Sequence, residues 1–165
     1  MLGLFASLIL SLIACAPNTP VEPAHALQVT YRTYSNARYD YSIAYPVGLL
    51  LPQGESDNGD GQKFLSDDGR AKMTVFGAQN LDNESTQSAY KKMQLMFGAA
   101  NGSEVTYKVI KGNWFVVSGR HGNDIFYAKT VHRGRTLITF ILSYPAEERQ
   151  TFDPIAEHIA QSFSR

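Results

Sequence analysis

Residues 103–144 read SEVTYKVIKGNWFVVSGRHGNDIFYAKTVHRGRTLITFILSY, and this stretch decides the fold. Apolar residues alternate with polar ones in four runs, and short polar turns containing Gly112, Gly122 and Gly134 separate the runs. Alternation with period two is typical of strands, and turns of a few residues join neighbouring strands in antiparallel order. The stretch therefore predicts a four-stranded antiparallel meander.

The preceding segment predicts further strands. Tyrosine and isoleucine alternate with other residues over 39–45 until Pro46 ends the run, which favours a half-buried strand. A polar loop is expected at 53–61. A tight hairpin is expected at Asp68-Gly69, between the apolar runs 63–65 and 71–76, because Asp-Gly suits positive φ.

Two helices are predicted beside these strands. The first has an apolar stripe, Asp82 or Asn83 as its cap and Gly98 at its end; the stripe is Ala89, Met93, Met96 and Phe97. The second has Asp153 as N-cap, Pro154 at its first position and the stripe Phe152, Ile155, Ile159 and Phe163. Grouped strands with two flanking helices predict an α+β fold with helices covering a face of the sheet.

The first residues indicate where the protein is located. Residues 1–14 are an almost unbroken apolar run, too short for a membrane span of about 20 residues but typical of a signal peptide. The run ends in Leu12-Ile13-Ala14 before Cys15, the only cysteine. This resembles the lipobox of bacterial lipoproteins, which implies cleavage before Cys15 and lipid attachment to its sulfur. By the same resemblance, Ala16 favours the outer membrane in a Gram-negative cell.

The alternative interpretation is a buried core cysteine in an ordinary N-terminal helix. It has to explain Pro17, Pro20 and Pro23, which follow directly. Residues 15–28 are instead predicted to be a lipidated, proline-rich tether. At about 3.1 Å per residue, that tether reaches roughly 40 Å.

Composition limits the remaining possibilities. Fifteen basic residues balance fifteen acidic ones, which disfavours non-specific nucleic-acid binding. A single cysteine provides no disulfide within the chain. Residues 29–165 are long enough for one domain with its own core.

Four segments carry a family resemblance: YDYSIAYP, DGQKFLSDDGRAKMTVFG, WFVVSGRHGNDIFYAKTV and ILSYPAEERQTFDPIAEHIAQSF. Together they resemble small exported bacterial proteins with a PsbP-like fold, over roughly residues 39–165. That resemblance implies a curved antiparallel sheet flanked by helices, an α/β/α sandwich. It also implies a binding, assembly or chaperone role without a shared catalytic set.

Three patterns resemble a calcium loop, a catalytic triad and a histidine metal site. In each case the surrounding sequence argues against that site. A calcium-loop spacing runs through Ser56, Asn58, Asp60, Gly61 and Asp67, but the flanking segments are strands and the end ligands are weak, so we expect a solvated loop. Ser118, His121 and Asp124 hold the residue types of a catalytic triad without a nucleophile elbow. His121 and His132 lie at opposite ends of a strand, roughly 20 Å apart or more, too far to share a metal.

The meander also predicts a basic end of the sheet. Its first and third turns lie at one end, which gathers Lys108, Lys111, Lys129, His132, Arg133 and Arg135 near Trp114. Arginine and tryptophan are common at interface hot spots, so Lys111, Trp114, Arg133 and Arg135 are candidate partner-binding residues. The alternative is a set of solvated turns with Trp114 in the core.

These features predict a lipid-anchored cell-envelope protein that acts as a non-enzymatic binding, assembly or chaperone-like module. We expect a protein partner, a membrane contact through the lipid, and no nucleic acid, metal or cofactor. One alternative is an envelope immunity protein or inhibitor that blocks a toxin or hydrolase. Another is an envelope hydrolase. Exposed sheet edges leave monomer and homodimer both open.

Overall fold

Nine strands and two α-helices form the described part of the computed structural model, residues 28–163. The predicted signal peptide, Cys15 and nearly all of the tether lie outside the described residues. The strands are β1 (Tyr31–Asn36), β2 (Tyr41–Pro46), β3 (Leu51–Glu55), β4 (Gly61–Leu65), β5 (Lys72–Gln79), β6 (Ser103–Lys111), β7 (Trp114–His121), β8 (Asp124–Arg133) and β9 (Thr136–Pro145). The helices are α1 (Thr86–Met96) and α2 (Arg149–Ser162).

Seven strands form one antiparallel sheet in the order β3-β4-β5-β9-β8-β7-β6. β1 and β2 form a separate hairpin. The predicted meander is confirmed as β6 to β9. Its turn residues Gly112, Gly122 and Gly134 all have positive φ, the conformation that favours glycine at a tight turn.

The two helices lie on opposite faces of the sheet. Side chains alternate along β7, so Phe115 and Val117 pack with Ala89 and Tyr90 of α1, whereas Trp114 lies on the face of α2. We call these the α1 face and the α2 face. The core of the α2 face is larger and also includes the β1–β2 hairpin; its fully buried members include Ile43, Phe64, Phe140, Leu142, Ile155 and Ile159. The α+β fold with a sheet between helices is confirmed, although the residue pattern alone had both helices on one face.

The strand predictions fail in three places before residue 60. β1 was not predicted, because its side chains are mostly polar and partly exposed. β3 occupies part of the predicted loop 53–61; all five of its residues are exposed, and Pro52 and Gly54 interrupt any strand pattern. The strand predicted from Tyr39 begins at Tyr41, because the Asn36 side chain accepts a hydrogen bond from the Tyr39 amide (2.9 Å) and forms a turn there.

The predicted start of α1 is wrong. Ser85 caps this helix by accepting a hydrogen bond from the Ser88 amide at 3.1 Å, and Asn83 has φ of 50° in the preceding turn. The helix ends just before Gly98, as expected. Met96 does not belong to the buried stripe, since 58% of its surface is exposed.

The predicted start of α2 is also wrong. The helix begins at Arg149, so Asp153 and Pro154 lie within it. The Asp153 carboxylate accepts hydrogen bonds from the Tyr144 hydroxyl (2.8 Å) and the Arg149 guanidinium (3.1 Å), and therefore joins the helix to the sheet instead of capping it. The predicted stripe is confirmed, with Phe152, Ile155, Ile159 and Phe163 all buried.

Candidate functional site

A groove of about 710 Å³ runs between α2 and the outer strands of the sheet. It exists because α2 packs over β2, β8 and β9 and leaves the α2 face of β6 and β7 uncovered. Its floor includes Tyr107, Trp114, Tyr127 and Lys129, and its wall is the side of α2 from Arg149 to Gln161. We call this the α2 groove. It is the candidate binding site of the protein.

The floor of the α2 groove is rich in aromatic side chains. Tyr107 is 55% exposed at the rim, while Trp114 and Tyr127 are half-buried. Aromatic residues are enriched at protein interfaces because they supply a large contact area with few rotatable bonds. Val109 and Val116 lie between them and make the floor more apolar.

Lys129 is the half-buried cation of the floor. Its Nζ donates a hydrogen bond to the Ala160 carbonyl oxygen at 2.6 Å and lies 5.4 Å from the centroid of the Trp114 ring. Burial lowers the pKa of Lys129, because removal from water disfavours the charged form. None of the ion pairs found among residues 28–163 includes Lys129.

Tyr127, on the groove floor, makes the stability of the protein depend on pH. Burial, together with the nearby Tyr107 and Glu157, raises its pKa from 10.0 to about 12. The folded protein therefore holds this proton more tightly than the unfolded chain. The stability from this group is fully present below pH 10.0 and is lost as the pH rises towards 12.

Wild-type protein is expected to lose stability above pH 10.0 as Tyr127 loses its proton. We expect Tyr127→Phe to remove this contribution, because phenylalanine has no proton to lose. The measurement is chemical denaturation of both proteins at several pH values between 9 and 12, which spans the shift of Tyr127. The wild-type free energy of unfolding should fall more steeply than that of Tyr127→Phe. Equal slopes would show that Tyr127 titrates alike in the folded and unfolded states.

The predicted basic end is only partly assembled. The turns at Gly112 and Gly134 do lie together, since the His132 amide donates to the Asn113 carbonyl oxygen at 2.6 Å. Their side chains separate because strands alternate faces: Lys111, Trp114 and Lys129 lie on the α2 face, and Lys108 and His132 on the α1 face.

The two arginines of this end differ in role. The Arg133 guanidinium donates hydrogen bonds to the backbone carbonyl oxygens of Tyr39 (2.7 Å) and Asp40, so it fastens the β1–β2 hairpin to the sheet. Arg135 is exposed in the turn, as is Lys111 at the end of β6. Lys111, Trp114 and Arg135 therefore remain candidate binding residues, and substitution of Arg133 would also disturb the hairpin.

The structure separates Ser118 from His121 and Asp124, which face each other across the β7–β8 turn. Ser118 lines the α2 groove, and its Oγ donates to the Phe126 carbonyl oxygen at 2.8 Å. His121 is three residues further along the strand and hence on the opposite face, where its Nδ1 lies 2.9 Å from Ser103 Oγ. Ser118, His121 and Asp124 do not form a catalytic constellation.

The candidate calcium loop satisfies its own polar groups. The Asp60 carboxylate accepts hydrogen bonds from Ser56 Oγ (2.5 Å) and Asn58 Nδ2 (3.0 Å), and these bonds lower the pKa of Asp60. Between residues 28 and 163 no group of three or more His, Cys, Asp or Glu is arranged to hold a metal ion.

In the same part of the chain, no helix is long and apolar enough to span a membrane.

The sheet with one helix on each face is an α+β sandwich, and its fold is PsbP-like. Among solved structures, the chain is similar to the solution structure of cyanobacterial PsbP (CyanoP) from Synechocystis sp. PCC 6803, with a TM-score of 0.62 and 16% sequence identity. The match covers 88% of this chain and 99% of that chain. At this identity the likeness shows the fold alone. No protein-family model matches the sequence, and neither does any curated protein.

Proposed function

We propose that this protein is a lipid-anchored module of the cell envelope that binds a protein partner through the α2 groove without catalysing a reaction. Support for the anchor comes from the apolar leader that ends at Cys15. Support for binding comes from one observation: an open groove floored by Tyr107, Trp114 and Tyr127, which the described residues leave unfilled. Concave, mostly apolar sites with a few placed polar groups are typical ligand sites.

The form of the groove favours an extended polypeptide as its ligand. The helix wall from Arg149 to Gln161 is about 18 Å long at 1.5 Å per residue. β6 borders the groove and is the edge strand of the sheet, so the groove is open on the side away from α2. An extended chain can enter from that side and lie between β6 and α2, with its side chains on the aromatic floor.

Cross-linking in living cells tests this proposal. Tyr107 and Lys108 are neighbours in β6, both exposed, but Tyr107 faces the α2 groove and Lys108 the α1 face. A photoreactive amino acid at Tyr107 should capture a defined partner, whereas the same group at Lys108 should capture little of it. Lys108 is a matched control because it lies in the same strand and is also exposed.

Capture of the same species in equal amounts from both positions would refute the groove as the binding surface. Capture from Lys108 only would place binding on the α1 face. Both variants should show wild-type thermal unfolding, since each replaces an exposed side chain.

A further inference from the structure

We infer that the α2 groove selects peptide segments that carry a carboxylate, and that this carboxylate pairs with Lys129 beside Trp114. This inference rests on the proposed function and specifies its ligand. It depends on charge complementarity between Lys129 and the ligand.

Lys129 is incompletely neutralised. An ammonium group has three N–H donors, and in this structure one of them reaches the Ala160 carbonyl oxygen. That oxygen belongs to the last turn of α2, where the helix dipole places partial negative charge. The carbonyl oxygen and the Trp114 ring stabilise the half-buried ammonium group less than water would. An incoming carboxylate would form a charge-assisted hydrogen bond with the remaining donors.

Three of the four other charged residues of the groove already have a side-chain partner. Arg149 pairs with Asp153 at 3.1 Å. The Glu157 carboxylate accepts a hydrogen bond from Gln161 at 3.2 Å, and no ion pair joins it to Lys129. Arg120 is exposed at the rim. The positive charge without an acidic partner on the groove floor is therefore that of Lys129.

The surroundings of Lys129 also determine what else the segment carries. Trp114, Val109 and Val116 provide an apolar floor next to the cation. An extended chain advances about 3.3 Å per residue, so the 18 Å wall accommodates about five residues. The expected ligand is thus a short extended segment with one Glu or Asp, flanked by aromatic or branched apolar side chains.

The test uses acetylated, amidated hexapeptides that contain one Glu among Val, Ile, Thr and Tyr, together with twins in which Gln replaces Glu. The protein is expressed from the full sequence and kept in mild detergent. Trp114 is the only tryptophan, so its fluorescence reports binding in the groove. The tightest Glu peptides should bind about tenfold more strongly than their Gln twins, the ratio typical of one charge-assisted contact.

Variants identify the residue responsible. Lys129→Gln should reduce the Glu preference to about one while leaving binding of the Gln twins unchanged, and Lys129→Arg should retain the preference. Lys108→Gln, on the α1 face, is the matched control and should behave as wild type. Thermal unfolding is measured for each, and Lys129→Met replaces Lys129→Gln if the latter does not fold.

The outcomes separate this inference from the proposed function. Peptide binding without a Glu preference, or a preference that survives in Lys129→Gln, would overturn the carboxylate inference and leave groove binding intact. If no hexapeptide binds but vesicles with anionic phosphatidylglycerol do, both the inference and the proposed peptide function are refuted.

Discussion

Replacing Phe140 with alanine is expected to lower the free energy of unfolding by about 3–5 kcal/mol, the range for a fully buried aromatic residue. Phe140 is 0% exposed in β9. Its ring packs against Tyr127 at 5.7 Å and Phe163 at 5.1 Å between centroids, so it joins the groove floor to the end of α2. The loss combines removed apolar contacts with a cavity that neighbouring side chains cannot fill.

Urea denaturation followed by Trp114 fluorescence and circular dichroism measures this loss. Leu81→Ala is the control; Leu81 is also apolar but 77% exposed, and its truncation should change the free energy by less than about 0.5 kcal/mol. A loss below about 1 kcal/mol for Phe140→Ala would contradict the packing of the α2-face core.

Replacing Cys15 with alanine is expected to abolish lipid attachment. Cys15 is the only cysteine, so no other thiol can accept the lipid. Each buried CH₂ of an acyl chain contributes about 0.8 kcal/mol to membrane binding, and two chains provide a stable anchor. Labelled palmitate should enter the wild type and fall to background in the variant.

Pro17→Ala is the matched control, because it alters the same segment but leaves the thiol and the residues before it in place. It should be labelled and sediment with membranes like wild type. Label retained in Cys15→Ala, or absent from wild type, would show that the lipid anchor is wrongly assigned.

The strands with clear alternation and glycine turns could be predicted from the sequence, since each run in 103–144 has a period and an end. β1 and β3 could not. Their pairing depends on partners elsewhere in the chain: Tyr34 of β1 faces Ile43 of β2, and Leu51 of β3 faces Leu65 of β4. Local patterns do not contain that information, and tertiary context outweighs local propensity in strands.

The start of α2 shows a second limit of prediction from the sequence. Asp153 and Pro154 have the chemistry of a helix start, yet α2 begins at Arg149. The Asp153 carboxylate accepts hydrogen bonds from both Tyr144 and Arg149. Asp153 therefore connects α2 to the sheet. Capping preferences describe single helices, and a tertiary contact overrides them here.

The candidate site could be predicted only in part. The turns of the meander correctly placed Lys111, Trp114 and Lys129 near one end, but the α2 groove also requires the position of α2, which no local pattern gives. A signal existed in the strands: Tyr107 and Val109, Trp114 and Val116, and Tyr127 and Lys129 each lie two residues apart on one face. The strand register is needed to see that these pairs are adjacent.

We propose that this protein binds its partner in the α2 groove. The most direct measurement is the ratio of partner captured in cells from the photoreactive group at Tyr107 to that captured from Lys108. We expect a large excess from Tyr107, because its side chain faces the groove and that of Lys108 does not. A ratio near one, or an excess from Lys108, would contradict it.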